Sequence, residues 1–241
     1  MKLKSPEELL NLTKFLFEAN EDLNLILIGG LAAQEIYSNR EVRKTSDIDI
    51  LTTRSGAKEL LERMEKNSYD VFYNETLDKY SIQKHEEGIH IDVYPDRIGR
   101  YSIENIERVI EIDAIRVASA EDLIGIKLYA YLTSDRGRNK HIIDIYSILI
   151  GKVEIDLDYL LDKVIPYVSK ITDFSQRELI EKMCSNNEGV LDQFTSKEKR
   201  FIQEECKRIL DYFIKKKTQV IKPANRYANY FQYFFLLPLG P

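Results

Sequence analysis

Residues 23–51 read LNLILIGGLAAQEIYSNREVRKTSDIDIL, and this stretch decides how the first half of the chain folds. The apolar run 23–28 predicts a strand that ends on a pair of glycines. A helical pattern follows over residues 31–37, and the run 47–51 predicts a second strand. We therefore expect an α/β unit in which a glycine turn lies close to an acidic strand.

The second strand carries two carboxylates on one face. Side chains alternate along a strand, so Asp47 and Asp49 point to one side while Ile48 and Ile50 point to the other. Carboxylates spaced about 7 Å apart along a strand suit a divalent metal ion, because Mg²⁺ is held by carboxylates together with substrate phosphates. The structural alternative is an exposed edge strand with solvated acids, although Asp is disfavoured inside strands.

The glycine pair has two explanations. Gly29 and Gly30 lie between a strand and a helix, where backbone N–H groups can approach a phosphate closely. A tight turn without any ligand is the alternative, and for the glycines alone it is the favoured explanation.

A third carboxylate follows on a predicted hairpin. Residues 80–85 and 88–94 alternate with period two around a Glu-Glu-Gly turn. Asp92 shares a face with His90, and a carboxylate that met the first two would complete a two-metal site and accept the proton of an attacking hydroxyl. A surface strand acid is the structural alternative. His85 and His90 are weaker candidates, because scattered histidines are usually exposed or structural.

Periodicity predicts mixed secondary structure before residue 150 and helices after it. The remaining predicted elements are a helix capped by Ser5, a helix from Ser55 or Gly56, strand 69–73, strand 109–117 (continuous or broken at Asp113), a helix capped by Ser119, and helices 141–150, 157–167, 175–184 and 196–216. We expect an α/β (α+β) domain over residues 1–150 and a helical C-terminal domain over residues 151–241 with an aromatic tail.

Composition excludes several classes of protein. The chain has 241 residues, of which 44% are hydrophobic and 31% charged, as in ordinary globular proteins. The net charge of -5 gives no global basic field for nucleic acid. Two cysteines form no metal-binding or disulfide framework, which predicts a cytoplasmic protein. The apolar run 230–239 falls short of the roughly 20 residues of a membrane helix, so no membrane association is expected.

Together, the glycine pair, the strand Asp-x-Asp and the later strand Asp resemble the DNA polymerase beta-like nucleotidyltransferase superfamily. The segments IGGLAA (28–33) and RKTSDIDI (43–50) are similar to its AbiEii-toxin-type or related uncharacterised branches, in which Arg-x-Thr-x-Asp-h-Asp, with h apolar, is usual. The resemblance implies a mixed sheet of nucleotidyltransferase type with flanking helices. It also implies a site in which Asp47, Asp49 and Asp92 are catalytic and bind Mg²⁺ or Mn²⁺.

The resemblance extends to a downstream helix pair, over residues 121–130 and 140–145. Lys127 corresponds to a lysine that binds triphosphate as a point charge, although a snorkelling surface lysine is the structural alternative. His141 stands where the family often has an aspartate, and Arg136, Arg138 and Lys140 form either a basic lip or a solvated connector. The nucleotide-binding residues that the resemblance implies are Gly29, Gly30, Arg43, Ser46, Lys127 and Asp144.

The implied activity is transfer of a nucleoside monophosphate from an NTP to a hydroxyl of a tRNA or other RNA, a protein or a small molecule, in a possible toxin of a toxin–antitoxin system. A non-catalytic nucleotide-binding or antitoxin-like module with the same fold is the alternative, and the complete set of three aspartates favours the enzyme. A third hypothesis is an RNA-binding or assembly role of the C-terminal part. The C-terminal helices or the aromatic tail are candidates for a homodimer contact.

Overall fold

The computed structural model describes residues 4–38, 40, 42–134, 137–151, 153–185 and 189–231, with side chains up to residue 218. Arg136 lies outside the described residues, and the predicted aromatic tail lies beyond the residues whose side chains are described. Homodimer formation through that tail or the C-terminal helices stays a prediction. None of the helices in the described ranges is long and apolar enough to cross a membrane.

The described residues form a strand-rich N-terminal part and a helical C-terminal part. The strands are β1 (Ile26–Ile28), β2 (Ile48–Thr52), β3 (Asp70–Asn74), β4 (Lys79–Lys84), β5 (Ile89–Pro95), β6 (Arg97–Ile98), β7 (Tyr101–Ser102), β8 (Val109–Ile112) and β9 (Ile115–Ala118). The helices are α1 (Pro6–Glu18), α2 (Gly29–Leu31), α3 (Arg54–Lys66), α4 (Ala120–Thr133), α5 (Arg138–Leu149), α6 (Leu157–Tyr159), α7 (Ile165–Ile171), α8 (Gln176–Cys184) and α9 (Ser196–Phe231).

Seven strands form one mixed sheet in the order β3-β4-β5-β2-β1-β9-β8. Strand β2 runs antiparallel to β1 and parallel to β5, and β1 runs parallel to β9. The acidic strand is therefore central in the sheet, so the edge-strand explanation of its aspartates is wrong. The predicted fold class, a mixed sheet with flanking helices, is confirmed.

One face of the central strands is packed into the core. Ile48, Ile50, Ile91 and Val93 are completely buried, and α3 packs against β5. Because side chains alternate along β2 and β5, the aspartates of these strands face the opposite side of the sheet. The hydrophobic pattern thus determines which side carries the candidate site.

The segment 109–117 is a hairpin and not a continuous strand. Asp113 and Ala114 both have positive φ, 49° and 66°, as in the two-residue turns that match the twist of paired strands. The alternative in which the strand breaks at Asp113 is confirmed.

Several helices differ from their predicted limits. The helix after the glycines begins at Gly29 itself and continues as a π-helical segment, Ala32–Ser38. A second π-helical segment, Leu160–Val164, joins α6 to α7 next to Pro166, which lacks an N–H donor.

The buried hydrophobic cluster extends from Leu9 to Phe213, and α9 packs against α8 and α5. The division into two domains near residue 150 stays a prediction.

Candidate active site

Sheet register brings the three predicted carboxylates together. Asp49 pairs with Ile28 across the antiparallel β1 and β2, and with Asp92 across the parallel β2 and β5. Paired residues on adjacent strands point to the same side at a strand spacing of about 4.8 Å. Asp47 lies immediately before β2, and one carboxylate oxygen from each of the three aspartates lies within 4.8 Å of the others. The surface explanation of Asp92 is wrong, since only 3% of it is exposed.

The concentration of negative charge shifts the proton affinity of Asp49. Burial and the neighbouring charge of Asp47 raise the pKa of Asp49 to about 7, against the opposing effect of Lys127. Carboxylates at this spacing repel each other unless a proton or a cation lies between them. The donor set therefore fits a hard divalent cation, which would take oxygen from Asp47, Asp49 and Asp92.

Asp92 is held by side chains of its own hairpin. Lys79 forms a salt bridge with Oδ2, Ser81 Oγ donates a hydrogen bond to Oδ1 at 2.7 Å, and His90 Nε2 lies 3.3 Å from Oδ1. Burial raises the pKa of Asp92, but these three contacts outweigh it and hold the pKa at about 2. Asp92 is therefore a charged, fixed carboxylate. His85, by contrast, is exposed at the hairpin turn.

The two glycines are explained by close contacts with other parts of the site. Gly29 has φ +83°, and a Cβ atom at this position would overlap the carboxylate of Asp49. A Cβ atom at Gly30 would overlap the guanidinium of Arg43 and lie 3.0 Å from Thr45 Oγ1. Glycine is thus required here so that the backbone can approach catalytic candidates closely.

Asp144 organises the cationic wall of the site. It is fully buried and accepts two hydrogen bonds from Arg43 at 2.8 Å each and one from Gln34 at 3.0 Å. Lys127 Nζ lies 2.7 Å from Asp144 Oδ2 and is itself buried, so the snorkelling explanation of Lys127 is wrong. Burial raises the pKa of Asp144, but the positive charges of Lys127 and Arg43 outweigh the effect of burial and lower this pKa to about 2.

A cleft of about 1080 Å³ connects these groups, a volume comparable to small-molecule sites. Its lining includes Gly29, Gly30, Asp47, Asp49, Asp92, Arg43, Lys79 and Lys127, together with Tyr94, Ile98, Ile126, Tyr129, Lys140 and His141. Burial and the charge of Lys127 lower the pKa of His141 to about 3, so this imidazole is neutral.

Two predicted nucleotide-binding residues lie outside this lining. Asp144 lies behind Arg43 and Lys127, and Ser46 is exposed on the loop before β2. Direct contact of either side chain with a nucleotide stays a prediction.

Sequence reasoning missed four residues of the site. Lys79 and Ser81 contact Asp92, and Tyr94 lines the cleft. Gln34 links Asp144 to the loop after the first π-helical segment, accepting a hydrogen bond from Val42 N at 2.7 Å. The hairpin alternation that placed Asp92 also places Lys79, Ser81 and Tyr94 on its face, so this signal was present in the sequence. Nothing comparable indicated Gln34.

We predict that Gly29→Ala destabilises the chain more than Gly137→Ala. Both glycines have positive φ, which costs an alanine about 1–3 kcal/mol. Only the Cβ at position 29 also overlaps a neighbour, the carboxylate of Asp49, whereas a Cβ at position 137 meets only Lys140 side-chain carbons at 3.7 Å. Urea denaturation measures the two losses in free energy of unfolding, and equal losses would contradict the close approach.

We predict that Asp49→Asn becomes increasingly stabilising as the pH rises. The pKa of Asp49 is about 7 in the folded chain against its ordinary 3.8, so the folded state binds this proton more tightly. The stability that protonated Asp49 contributes is fully present below the ordinary pKa and is lost as the pH rises through about 7. The free energy of unfolding of the variant minus that of the wild type, measured in EDTA, should increase between about pH 5 and about pH 8.

Asp92→Asn is the matched control of opposite sign. Because the pKa of Asp92 is lowered to about 2, its charge stabilises the fold throughout the same pH window. The Asp92→Asn variant should therefore be less stable than the wild type in this window, which is the opposite sign to that expected for Asp49→Asn at about pH 8. A difference for Asp49→Asn that is independent of pH contradicts the charge clustering.

Comparison with known proteins identifies the family. The family described as "Nucleotidyl transferase AbiEii toxin, Type IV TA system" matches residues 12–208. No significant match was found among curated protein sequences.

A solved structure that superposes over most of this chain shows a similar fold at low sequence identity. The crystal structure of JHP933 from Helicobacter pylori superposes with a TM-score of 0.51 at 16% identity, covering 91% of this chain and 98% of that chain. ANT(2")-Ia in complex with adenylyl-2"-tobramycin gives a TM-score of 0.48 at 19% identity, covering 70% and 100%. Lincomycin-bound LnuA, a lincosamide antibiotic adenylyltransferase, gives 0.44 at 18% identity, covering 61% and 98%.

The family match covers most of the chain and spans all three aspartates of the site, as well as Lys127. It confirms the relationship predicted from the glycine pair and the Asp-x-Asp strand, and with it a transferase activity. The chain is a nucleotidyltransferase of the AbiEii family.

Proposed function

We propose that this protein transfers a nucleoside monophosphate from an NTP to a hydroxyl of an acceptor, using Mg²⁺ or Mn²⁺, and that it acts as the toxin of a toxin–antitoxin pair. The acceptor is an RNA such as tRNA, a protein or a small molecule. The observation that carries the proposal is the convergence of Asp47, Asp49 and Asp92 in a cleft that is also lined by the cations Arg43, Lys79 and Lys127.

The proposed roles follow from position in the cleft. Asp47, Asp49 and Asp92 hold the divalent ion, which would polarise the α-phosphate and neutralise its charge when bound. Arg43 and Lys127 face the β- and γ-phosphates and stabilise the charge that develops on the leaving pyrophosphate. The backbone of Gly29 and Gly30 lines the cleft beside the Asp49 carboxylate and the Arg43 guanidinium, at a strand end where backbone N–H groups can bind phosphate.

The proposed reaction is an in-line displacement. The acceptor oxygen forms a bond to the α-phosphorus, the bond from that phosphorus to the oxygen bridging the β-phosphate breaks, and pyrophosphate leaves. Asp92 accepts the proton of the acceptor hydroxyl. Arg43 and Lys127 are pre-oriented for this step because Asp144 and Gln34 fix them before any phosphate arrives.

The test is transfer of label from each NTP in turn, with Mg²⁺ and with or without total cell RNA. Label in the α-phosphate should appear on RNA, on protein or on a small molecule, whereas label in the γ-phosphate should leave as pyrophosphate. Asp49→Asn should lower the transfer rate at least about a hundredfold, the scale of losing one electrostatic contact to the transition state. Asp192→Asn, in an exposed ion pair with Lys199, is the matched control and should transfer at the wild-type rate.

The outcomes separate the functional classes. Transfer by Asp49→Asn at the wild-type rate would show that the site is wrong. Binding of NTP without transfer to any acceptor by the wild type would favour a non-catalytic nucleotide-binding module with this fold. EDTA should abolish transfer in every active preparation, and transfer that persists in EDTA contradicts the metal requirement.

A further inference from the structure

Strand β4 delivers a lysine to the carboxylate triad. Ser81 pairs directly with Asp92, and Lys79 lies two residues earlier on the same strand, so both side chains lie on the same face of the sheet as Asp92. Lys79 forms a salt bridge with Asp92 Oδ2 while Ser81 occupies Oδ1, and only 14% of the Lys79 side chain is exposed. Both oxygens of Asp92 are therefore engaged by its own hairpin.

Lys79 differs from the other cations of the cleft in its partner. Arg43 and Lys127 are both paired with Asp144, which lies outside the triad. Among the ion pairs of the described residues, that of Lys79 with Asp92 is the one that involves a triad carboxylate and a lysine or arginine. Its position also puts it in the lining of the cleft next to Asp92 and Tyr94, whose ring centroid is 5.7 Å from Nζ.

An ammonium group and a divalent cation compete for the Oδ2 side of Asp92. Both are attracted by the carboxylate charge and repel each other at short range, so the presence of one at Oδ2 opposes the other. A lysine side chain is a flexible four-carbon chain, so its ammonium can move without disturbing the strand. If the Lys79 ammonium moved away from Asp92, it would remain inside the cleft, close to the proposed position of the phosphate oxygens.

We propose that Lys79 occupies the metal-binding oxygen of Asp92 in the nucleotide-free enzyme, and that it exchanges this carboxylate for a nucleotide phosphate when metal and NTP bind. This inference rests on the proposed function. Lys79 then acts twice: it keeps Asp92 charged and in place before the substrate arrives, and it contacts the substrate afterwards. Tight metal binding is thereby deferred until nucleotide is present.

The first measurement is Mn²⁺ binding to the full chain without nucleotide, by electron paramagnetic resonance. Lys79→Met should bind Mn²⁺ at least about tenfold more tightly than the wild type, about 1.4 kcal/mol, because the competing charge is gone. Misfolding cannot produce a gain in affinity, so this result would identify competition. Lys84→Met is the matched control: Lys84 lies on the same strand, pairs with Glu87 outside the triad, and should leave Mn²⁺ affinity unchanged.

A double-mutant cycle shows whether the effect acts through Asp92. In the Asp92→Asn background the salt bridge of Lys79 to a metal-binding carboxylate is lost, so adding Lys79→Met should produce a clearly smaller gain in Mn²⁺ affinity. A gain of the same size in both backgrounds overturns the proposed competition at Asp92.

The second measurement is the affinity for a non-hydrolysable NTP analogue at saturating Mn²⁺. Lys79→Met should bind the analogue about tenfold more weakly, and Lys79→Arg, which keeps the charge, should bind within about threefold of the wild type. A purely structural lysine would predict neither the metal gain nor rescue by arginine. Unchanged or weaker Mn²⁺ binding by Lys79→Met, or unchanged analogue binding, overturns the inference.

The failure of this inference is distinguishable from failure of the proposed function. A wild-type enzyme that transfers label while Lys79→Met shows no metal gain removes only the role of Lys79. Absence of Mn²⁺ binding in both the wild type and Lys79→Met, together with absence of transfer, overturns both.

Discussion

The parallel pairing of β2 with β5 is the constraint on which the site depends. It places Asp49 directly beside Asp92, with Asp47 one step before the strand, so three like charges share a small volume. Their repulsion opposes this arrangement, but the register is fixed from the other face of the sheet. A slip of β2 by one residue would turn the buried Ile48 and Ile50 into the cleft. The hydrophobic core thus enforces a concentration of charge that a cation can relieve.

Two ion-pair clusters lie beside the carboxylates, and they differ in the anion at their centre. The first is centred on Asp144, a buried anion that fixes Arg43 and Lys127 and leaves them facing the cleft. Because removing one partner of a buried pair costs several kcal/mol, these cations are held rigidly before a substrate binds. The second cluster joins Lys79 to Asp92, where the anion itself belongs to the candidate metal site. In the proposed mechanism the wall that receives phosphate is therefore fixed, whereas the metal side contains an exchangeable cation.

Local patterns in the sequence predicted the strand faces but not the neighbours of each strand. The alternation around Asp92 and the Asp-x-Asp strand gave the correct side for each carboxylate, and the family followed from the same residues. The central position of β2, antiparallel to one neighbour and parallel to the other, depends on contacts between distant segments, which periodicity does not encode. For the same reason the motif around Asp144 does not show that Arg43, about a hundred residues earlier, pairs with it. Contact of Asp144 with nucleotide stays a prediction. Gly29 was interpreted as a phosphate contact, and the approach of the Asp49 carboxylate gives it a second, steric reason.

The central claim is that Asp47, Asp49 and Asp92 form one divalent-cation site that receives the triphosphate. Crystals grown with Mn²⁺ and a non-hydrolysable NTP analogue test it most directly, through the anomalous scattering of manganese. We expect an anomalous peak about 2.0–2.3 Å from an oxygen of each aspartate, with analogue phosphate oxygens completing the coordination. A peak elsewhere, or analogue bound in the cleft with no manganese between the three carboxylates, would contradict it.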